Sequence, residues 1–195
     1  MSAQWPEFDL DRTSFADILS LFEVNLLDSE TQSTKATGDK LEMATAELWG
    51  ACGDVFRFAG SRQTYAGQID GVVEVHTSDP VLRDWGSLVI YECKNWTDPA
   101  GLPELAVLLY KMQLTDAKVG MMFSTRGITK VRGDRLNGEG VVLFARWHLN
   151  RFILYFDYTD LEAIRDGTNF IELLMERYRA LRLSAPPAGS ESLRR

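Results

Sequence analysis

Apolar residues recur at spacings of three and four between Thr13 and Leu27, where Phe15, Ile18, Leu19, Phe22 and Leu26 share one face of an amphipathic helix. That face packs on its own domain or docks another subunit or an identical copy. A polar stretch, Asp28 to Thr37, separates it from a second helix that begins near Gly38. There Leu41, Ala44, Thr45, Leu48 and Cys52 form one stripe with Trp49 on its flank. Glu42 lies at the edge of that stripe beside Trp49, whereas Glu47 falls on the solvent side with Lys40.

Runs of strand length follow: Val55 to Ala59, Gln68 to His76, Leu88 to Trp96, Gly120 to Ser124, Val141 to Ala145 and Phe152 to Phe156. Gly60 to Gly67 reads as a loop and Thr77 to Gly86 as a long connection. Pro103 suits the first turn of a helix whose buried stripe is Leu105, Leu108, Leu109 and Met112, with Lys111 and Gln113 on its flanks. A last helix, Phe170 to Leu181, puts Phe170, Leu173, Leu174 and Tyr178 on one face. A hairpin continued by strand, helix and strand predicts an α/β fold with a central mixed β-sheet flanked by helices. The chain divides into an acidic N-terminal segment with its helix (1–33), one domain (34–183) and a Pro- and Ser-containing tail (184–195) expected to be disordered.

The stretch Leu88-Val-Ile-Tyr-Glu-Cys-Lys-Asn-Trp96 breaks the apolar pattern with a glutamate and a lysine at its far end. Side chains alternate along a strand, so Glu92 and Lys94 point one way and Tyr91 and Cys93 the other. An ion pair at a strand end is the plain explanation. If residues 68–76 and 88–96 form a hairpin, however, Asp70 faces Glu92 and Lys94, although a lone aspartate at a strand entrance is more often a turn residue or cap. Carboxylates from two adjacent strand ends suit a hard divalent cation, Mg²⁺ rather than zinc. Beside a metal-bound water, Lys94 could orient that water or neutralise charge developing on a phosphate.

Composition narrows the choice. With 195 residues and 45% hydrophobic residues the chain can bury a full core. Cys52 and Cys93 give neither a disulfide framework nor a zinc spacing, and His76 and His148 fall in no ligand spacing. No secretion signal or membrane-spanning run is present, so a cytoplasmic location is expected. The net charge of −7 argues against a phosphate-binding surface. Yet residues 1–33 carry seven acids against Arg12 alone, and most of the acidity resides there. Lys111, Lys118, Arg126, Lys130, Arg132 and Arg135 outnumber Asp116 and Asp134, making either a nucleic-acid surface or an ordinary solvated face. There is no Gly-x-Ser-x-Gly elbow and no phosphate loop. A glycosidase-type carboxylate pair leaves the lysine at its centre unexplained.

The order Glu42, Asp70, Glu92-Cys93-Lys94 resembles the restriction endonuclease-like PD-(D/E)xK superfamily, within it the type IV Mrr-like restriction enzymes and archaeal-type Holliday junction resolvases. The resemblance runs from about Gly38 to Thr129 through GDKLEMATAELW, QIDGVVEV, VIYECKNW and AKVGMMFSTRGIT. Ile69 stands where the motif's proline would be, a departure that many members share. The resemblance implies a restriction endonuclease-like fold and Mg²⁺- or Mn²⁺-dependent hydrolysis of nucleic-acid phosphodiesters, DNA more readily than RNA. It makes Asp70, Glu92 and the backbone carbonyl of Cys93 metal ligands, and Lys94 the residue that positions the attacking water. Glu42 would contact the metal directly or through water, and Gln113 would be an auxiliary polar residue. No DNA-reading module is recognisable. A homo-oligomer or a partner bound through the N-terminal helix is therefore expected to deliver substrate, as in an effector subunit of a bacterial defence or restriction system. The competing expectations are a catalytically silent nuclease-like subunit that binds or scaffolds, and a structural α/β domain with a strand-end ion pair.

Overall fold

The computed structural model describes residues 8–27, 34–65, 67–95, 97–130 and 137–184, with only the backbone of 22–27 and 34–39. Helices α1 (Arg12–Leu27) and α2 (Thr34–Gly50) lead into strand β1 (Phe56–Phe58), followed by β2 (Arg62–Thr64), β3 (Gly67–Ile69) and β4 (Gly71–Val75). A one-turn helix, α3 (Pro80–Arg83), precedes β5 (Leu88–Lys94). The chain then runs through α4 (Leu102–Leu114), β6 (Val119–Ser124), α5 (Gly138–Leu149), β7 (Phe152–Phe156), α6 (Tyr158–Arg165) and α7 (Phe170–Leu183). The main sheet has the order β1-β4-β5-β6-β7. β4 is antiparallel to β1 and β5, whereas β5, β6 and β7 are parallel. This is the expected mixed sheet with helices on both faces.

Alternation along the strands sorts the core into two layers. Val89, Tyr91 and Cys93 of β5 join Met121 and Phe123 of β6 in a cluster with Phe15, Leu41, Leu48, Trp49, Phe170 and Tyr178 from α1, α2 and α7. Ile90 and Met122 point the other way, into a smaller cluster with Leu105, Leu108 and Met112 of α4 and Val141, Val142 and Ala145 of α5. In α1, Phe15, Ile18 and Leu19 are buried in the chain's own core, which supports self-packing for these three positions. The side chains of Phe22 and Leu26, and the tail beyond Ser184, lie outside the described residues.

The predicted strand Val141–Ala145 is instead part of α5. Its apolar run has strand length, and a short continuous run does not distinguish the two periods. What decides is Asn137, whose side chain accepts from the Gly140 N–H and caps the helix. Val142 and Ala145 then face the sheet while Phe144 is exposed. The third parallel strand is β7. The expected loop 60–67 contains half of the small β2–β3 hairpin, and the expected strand 68–76 is broken at Asp70. The charged segment from Lys111 to Arg135 is not one solvated face. Lys111 is buried, Lys118 binds Asp84 at 2.6 Å, and Lys130 donates to the Tyr155 hydroxyl at 3.1 Å. Arg132 and Arg135 lie outside the described residues.

Tyr91 crosses the backbone of β4 so closely that a Cβ at Gly71 would overlap its ring. Gly71→Ala is therefore expected to lower stability by about 1–3 kcal/mol in a denaturant titration. Adding Tyr91→Leu should recover part of that loss, since the smaller side chain removes the overlap.

Candidate active site

The break between β3 and β4 places Asp70. Pairing of β4 with β5 ends at Gly71 opposite Tyr91, so Asp70 stands opposite Glu92 as the register continues. There the aspartate replaces a strand carbonyl: its Oδ2 accepts from the Cys93 N–H at 2.8 Å. The N–H and C=O of one strand residue point to the same side, so the Cys93 carbonyl opens toward the gap that Asp70 borders. The hairpin expected from sequence thus brings Asp70, Glu92 and the Cys93 backbone together.

Glu92 and Lys94 share the face of β5 that packs toward α4. Glu92 is 4% exposed, and its Oε1 accepts from the Lys111 ammonium of α4 at 2.8 Å. The same ammonium donates to the Gln68 carbonyl of β3 at 2.5 Å. One buried cation therefore ties β5, which carries Glu92, to β3, which leads into Asp70. Burial pushes the Glu92 carboxyl up to about 7, with the charge of Asp70 adding to the rise and Lys111 and Lys94 opposing it. Glu92 forms a buried ion pair with Lys111, and the charge of Lys94 acts on the same carboxylate from two residues along the strand. Lys94 is half-buried, beside Ser124 in the β5–β6 register. Ser124 is 2% exposed and its hydroxyl has no hydrogen-bond partner among the described residues. Just beyond, the Thr125 N–H donates to the Lys94 carbonyl and its hydroxyl to the Asn95 side chain, pinning the ends of β5 and β6 together.

Glu42 approaches from the other side of the sheet. It is half-buried on α2, where the Thr45 hydroxyl donates to its backbone carbonyl and lies 3.5 Å from the Tyr91 hydroxyl. Its charge, with that of Asp70, reaches Tyr91 and Cys93 and helps burial raise both pKa values. The Cys93 thiol faces this layer and is held in its inert protonated form. Gln113 is exposed on α4, and the inward-facing polar residue of that helix is Lys111. His76 contacts Glu74 at the surface and His148 packs tilted against Phe144, both outside the constellation just described.

Comparison with protein families and with curated proteins finds no match. Among solved structures, the chain is similar to a DNA modification-dependent restriction endonuclease, AspBHI, with a TM-score of 0.48 and 11% sequence identity. The similarity covers 89% of this chain and 40% of that one, so the chain spans less than half of that protein's length.

The donor set fits a divalent cation in part. Asp70 and Glu92 contribute hard oxygen donors, and their mutual repulsion is the kind of stress that a cation between them relieves. Among the described residues no three Asp, Glu, His or Cys side chains converge tightly enough to hold an ion alone. Backbone carbonyl and water would complete the coordination, as Mg²⁺ commonly allows.

Lys111 is the residue that sequence reasoning placed on a flank and the structure places in the centre. Its spacing carried a signal: it stands three residues after Leu108, on the buried side of α4. Lys111→Met should cost about 3–5 kcal/mol above neutral pH, because it leaves a buried carboxylate without its cation. The sign with pH follows from the raised Glu92 pKa. The native state binds the extra proton between about 4.5 and 7, so the contribution of Glu92 to stability falls as pH rises through that window. Melting curves in EDTA across this range should show the Lys111→Met cost shrinking toward the acid end, and Glu92→Gln should flatten the slope.

Proposed function

We propose that this chain is a metal-dependent nuclease that hydrolyses phosphodiester bonds in nucleic acid, DNA in the first instance. The observation that carries the proposal is the Asp70 carboxylate bonded to the Cys93 N–H, which sets Asp70 against Glu92 with Lys94 on the same face of β5 as Glu92. An ordinary strand end has no need of two adjacent carboxylates, one of them buried, with a lysine beside them. The order of these residues along the chain adds the resemblance to PD-(D/E)xK nucleases.

In this reading Asp70, Glu92 and the Cys93 carbonyl hold Mg²⁺ or Mn²⁺. Bound there, the ion supplies Lewis-acid activation of water and neutralises phosphate charge. The chain's own groups do the positioning. Lys94 orients the attacking water and offers its proton-donor face to the phosphate, and its charge favours the ionised form of Glu92. Lys111 fixes the Glu92 rotamer through Oε1, leaving the second oxygen for the cation. Glu42 contributes negative charge from the far face, acting on the metal through water. A role as an effector subunit in a bacterial defence or restriction system, with target choice supplied by a partner or by self-assembly, fits a nuclease without a recognisable reader.

A second reading has its own observation. The Lys111–Glu92 pair already neutralises the buried carboxylate, as a catalytically silent nuclease-like subunit would require. Incubating supercoiled, linear and single-stranded DNA, and RNA, with Mg²⁺, Mn²⁺ or EDTA separates the two. Metal-dependent cutting is expected, falling at least about 100-fold in Lys94→Ala, the size of a general acid–base contribution. Absence of cutting together with absence of a metal-induced rise in melting temperature would favour the silent subunit.

A further inference from the structure

The buried polar side-chain atoms that lack a hydrogen-bond partner among the described residues are the indole N–H groups of Trp49 and Trp85 and the hydroxyl of Ser124. Both indoles belong to the large aromatic layer, where the apolar body of the ring explains their burial. Ser124 has no such body. At 2% exposure it takes little from solvent, and alanine would fill the same place without an unpaired hydroxyl. The backbone around it is already paired: its own carbonyl accepts from the Gly127 N–H at 2.8 Å, and the Lys94 carbonyl from the Thr125 N–H at 3.2 Å. Ala100 and Ile128, bridged to each other just beyond, are buried and apolar. Such an atom in a folded protein marks strain, a bound water or a functional contact. The register of β6 favours the contact.

Ser124 pairs with Lys94 on one side, and on the other the pairing of Phe123 with Phe156 carries on to place it opposite Asp157. Asp157 has an extended backbone, so the alternation of β7 continues through it. Lys94, Ser124 and Asp157 therefore share the face of Glu92, Met122 and Tyr155, one row further along the strands. An ammonium, a hydroxyl and a carboxylate stand in one row across three parallel strand ends. Oδ1 of Asp157 caps α6, accepting from the Asp160 N–H at 3.2 Å. Oδ2 lies 3.6 Å from where a Cβ on Gly127 would stand, toward the turn that follows Ser124. A hydroxyl accepts and donates at once, which suits it to link a cation to an anion in such a row. We infer that Ser124 is a positioning residue for Lys94: its hydroxyl accepts from the Lys94 ammonium and donates to the Asp157 carboxylate. A change of staggered χ1 rotamer is the movement that makes both bonds. Ser124 is too deep to touch a substrate itself, so it acts through Lys94. The row holds the lysine head beside Glu92 and keeps it from extending into solvent. Its catalytic consequence rests on the nuclease reading; the row itself does not.

Acylation of the full chain with a lysine-directed ester in EDTA, mapped by peptide mass spectrometry, reads the row without any cutting. Ser124→Ala should raise acylation of Lys94 by about 2- to 10-fold relative to Lys118, the net worth of one hydrogen bond. Ser124→Thr, which keeps the hydroxyl, should restore the wild-type rate. Asp157→Asn, which keeps a capping oxygen, should raise it as well and serves if Ser124→Ala disturbs the circular dichroism spectrum. On a DNA that the wild type cuts with Mg²⁺, kcat of Ser124→Ala should fall by about 10- to 100-fold with KM unchanged, and Ser124→Thr should recover it. Lys94 acylation that stays unchanged in folded Ser124→Ala and Asp157→Asn would overturn the inference, and so would an unchanged kcat in Ser124→Ala. A wild type that cuts no nucleic acid removes the nuclease reading alone, and the acylation rates still decide the role of Ser124.

Discussion

A single buried ammonium organises the end of the sheet. Lys111 reaches from α4 to the Gln68 carbonyl on β3 and the Glu92 carboxylate on β5, bridging β5 to the strand that ends just before Asp70. Removing a charge from water is costly, and two charges at this depth persist because each satisfies the other and a second proton of the ammonium finds a carbonyl. That constraint fixes the side of the sheet on which Glu92 points. It also fixes how closely β3, β4 and β5 meet, and so where Asp70 must stand.

The rest of the site follows from strand geometry. Because β4 is interrupted at Asp70, the aspartate can fold its carboxylate onto the Cys93 N–H, a donor that the ladder would otherwise leave open. Alternation then separates the chemistry into two compartments. Glu92 and Lys94 face α4, while Tyr91, Cys93 and Thr45 form a buried polar group facing α2, with Glu42 at its margin. Asp70, at the strand break, acts electrostatically on both. The aromatic layer behind them, with Trp49 stacked on Tyr91 and Phe123 edge-on to Tyr91, holds β5 against displacement. Packing on one face thereby keeps the polar groups of the other in place. Among the described residues no helix is long and apolar enough to cross a membrane.

Local pattern and tertiary context contributed differently. The period of two in β5 settled that Glu92 and Lys94 share a face, and the break in apolar character marked them as worth explaining. The stripe Leu41, Ala44, Thr45, Leu48 in α2 and the core positions of α4 and α7 were readable for the same reason: hydrophobic periodicity reports directly on burial. The hairpin that opposes Asp70 to Glu92 was likewise available from the order of the two strands. Residues 141–145 were not, because five consecutive apolar residues satisfy either period, and the helix is supported by the Asn137 cap together with burial of Val141, Val142 and Ala145.

What the sequence by itself determined is the mixed α/β order and the identity of the charged residues that interrupt it, since both are written in spacing. What only the tertiary structure decided is who neutralises whom. Lys94, two residues away, is the partner that local spacing suggests for Glu92, and the fold adds Lys111, nineteen residues on, as a buried ion-pair partner. The physical reason is that pairing of a buried charge depends on distance through space and on depth below the surface. Neither can be read until α4 is laid across β5.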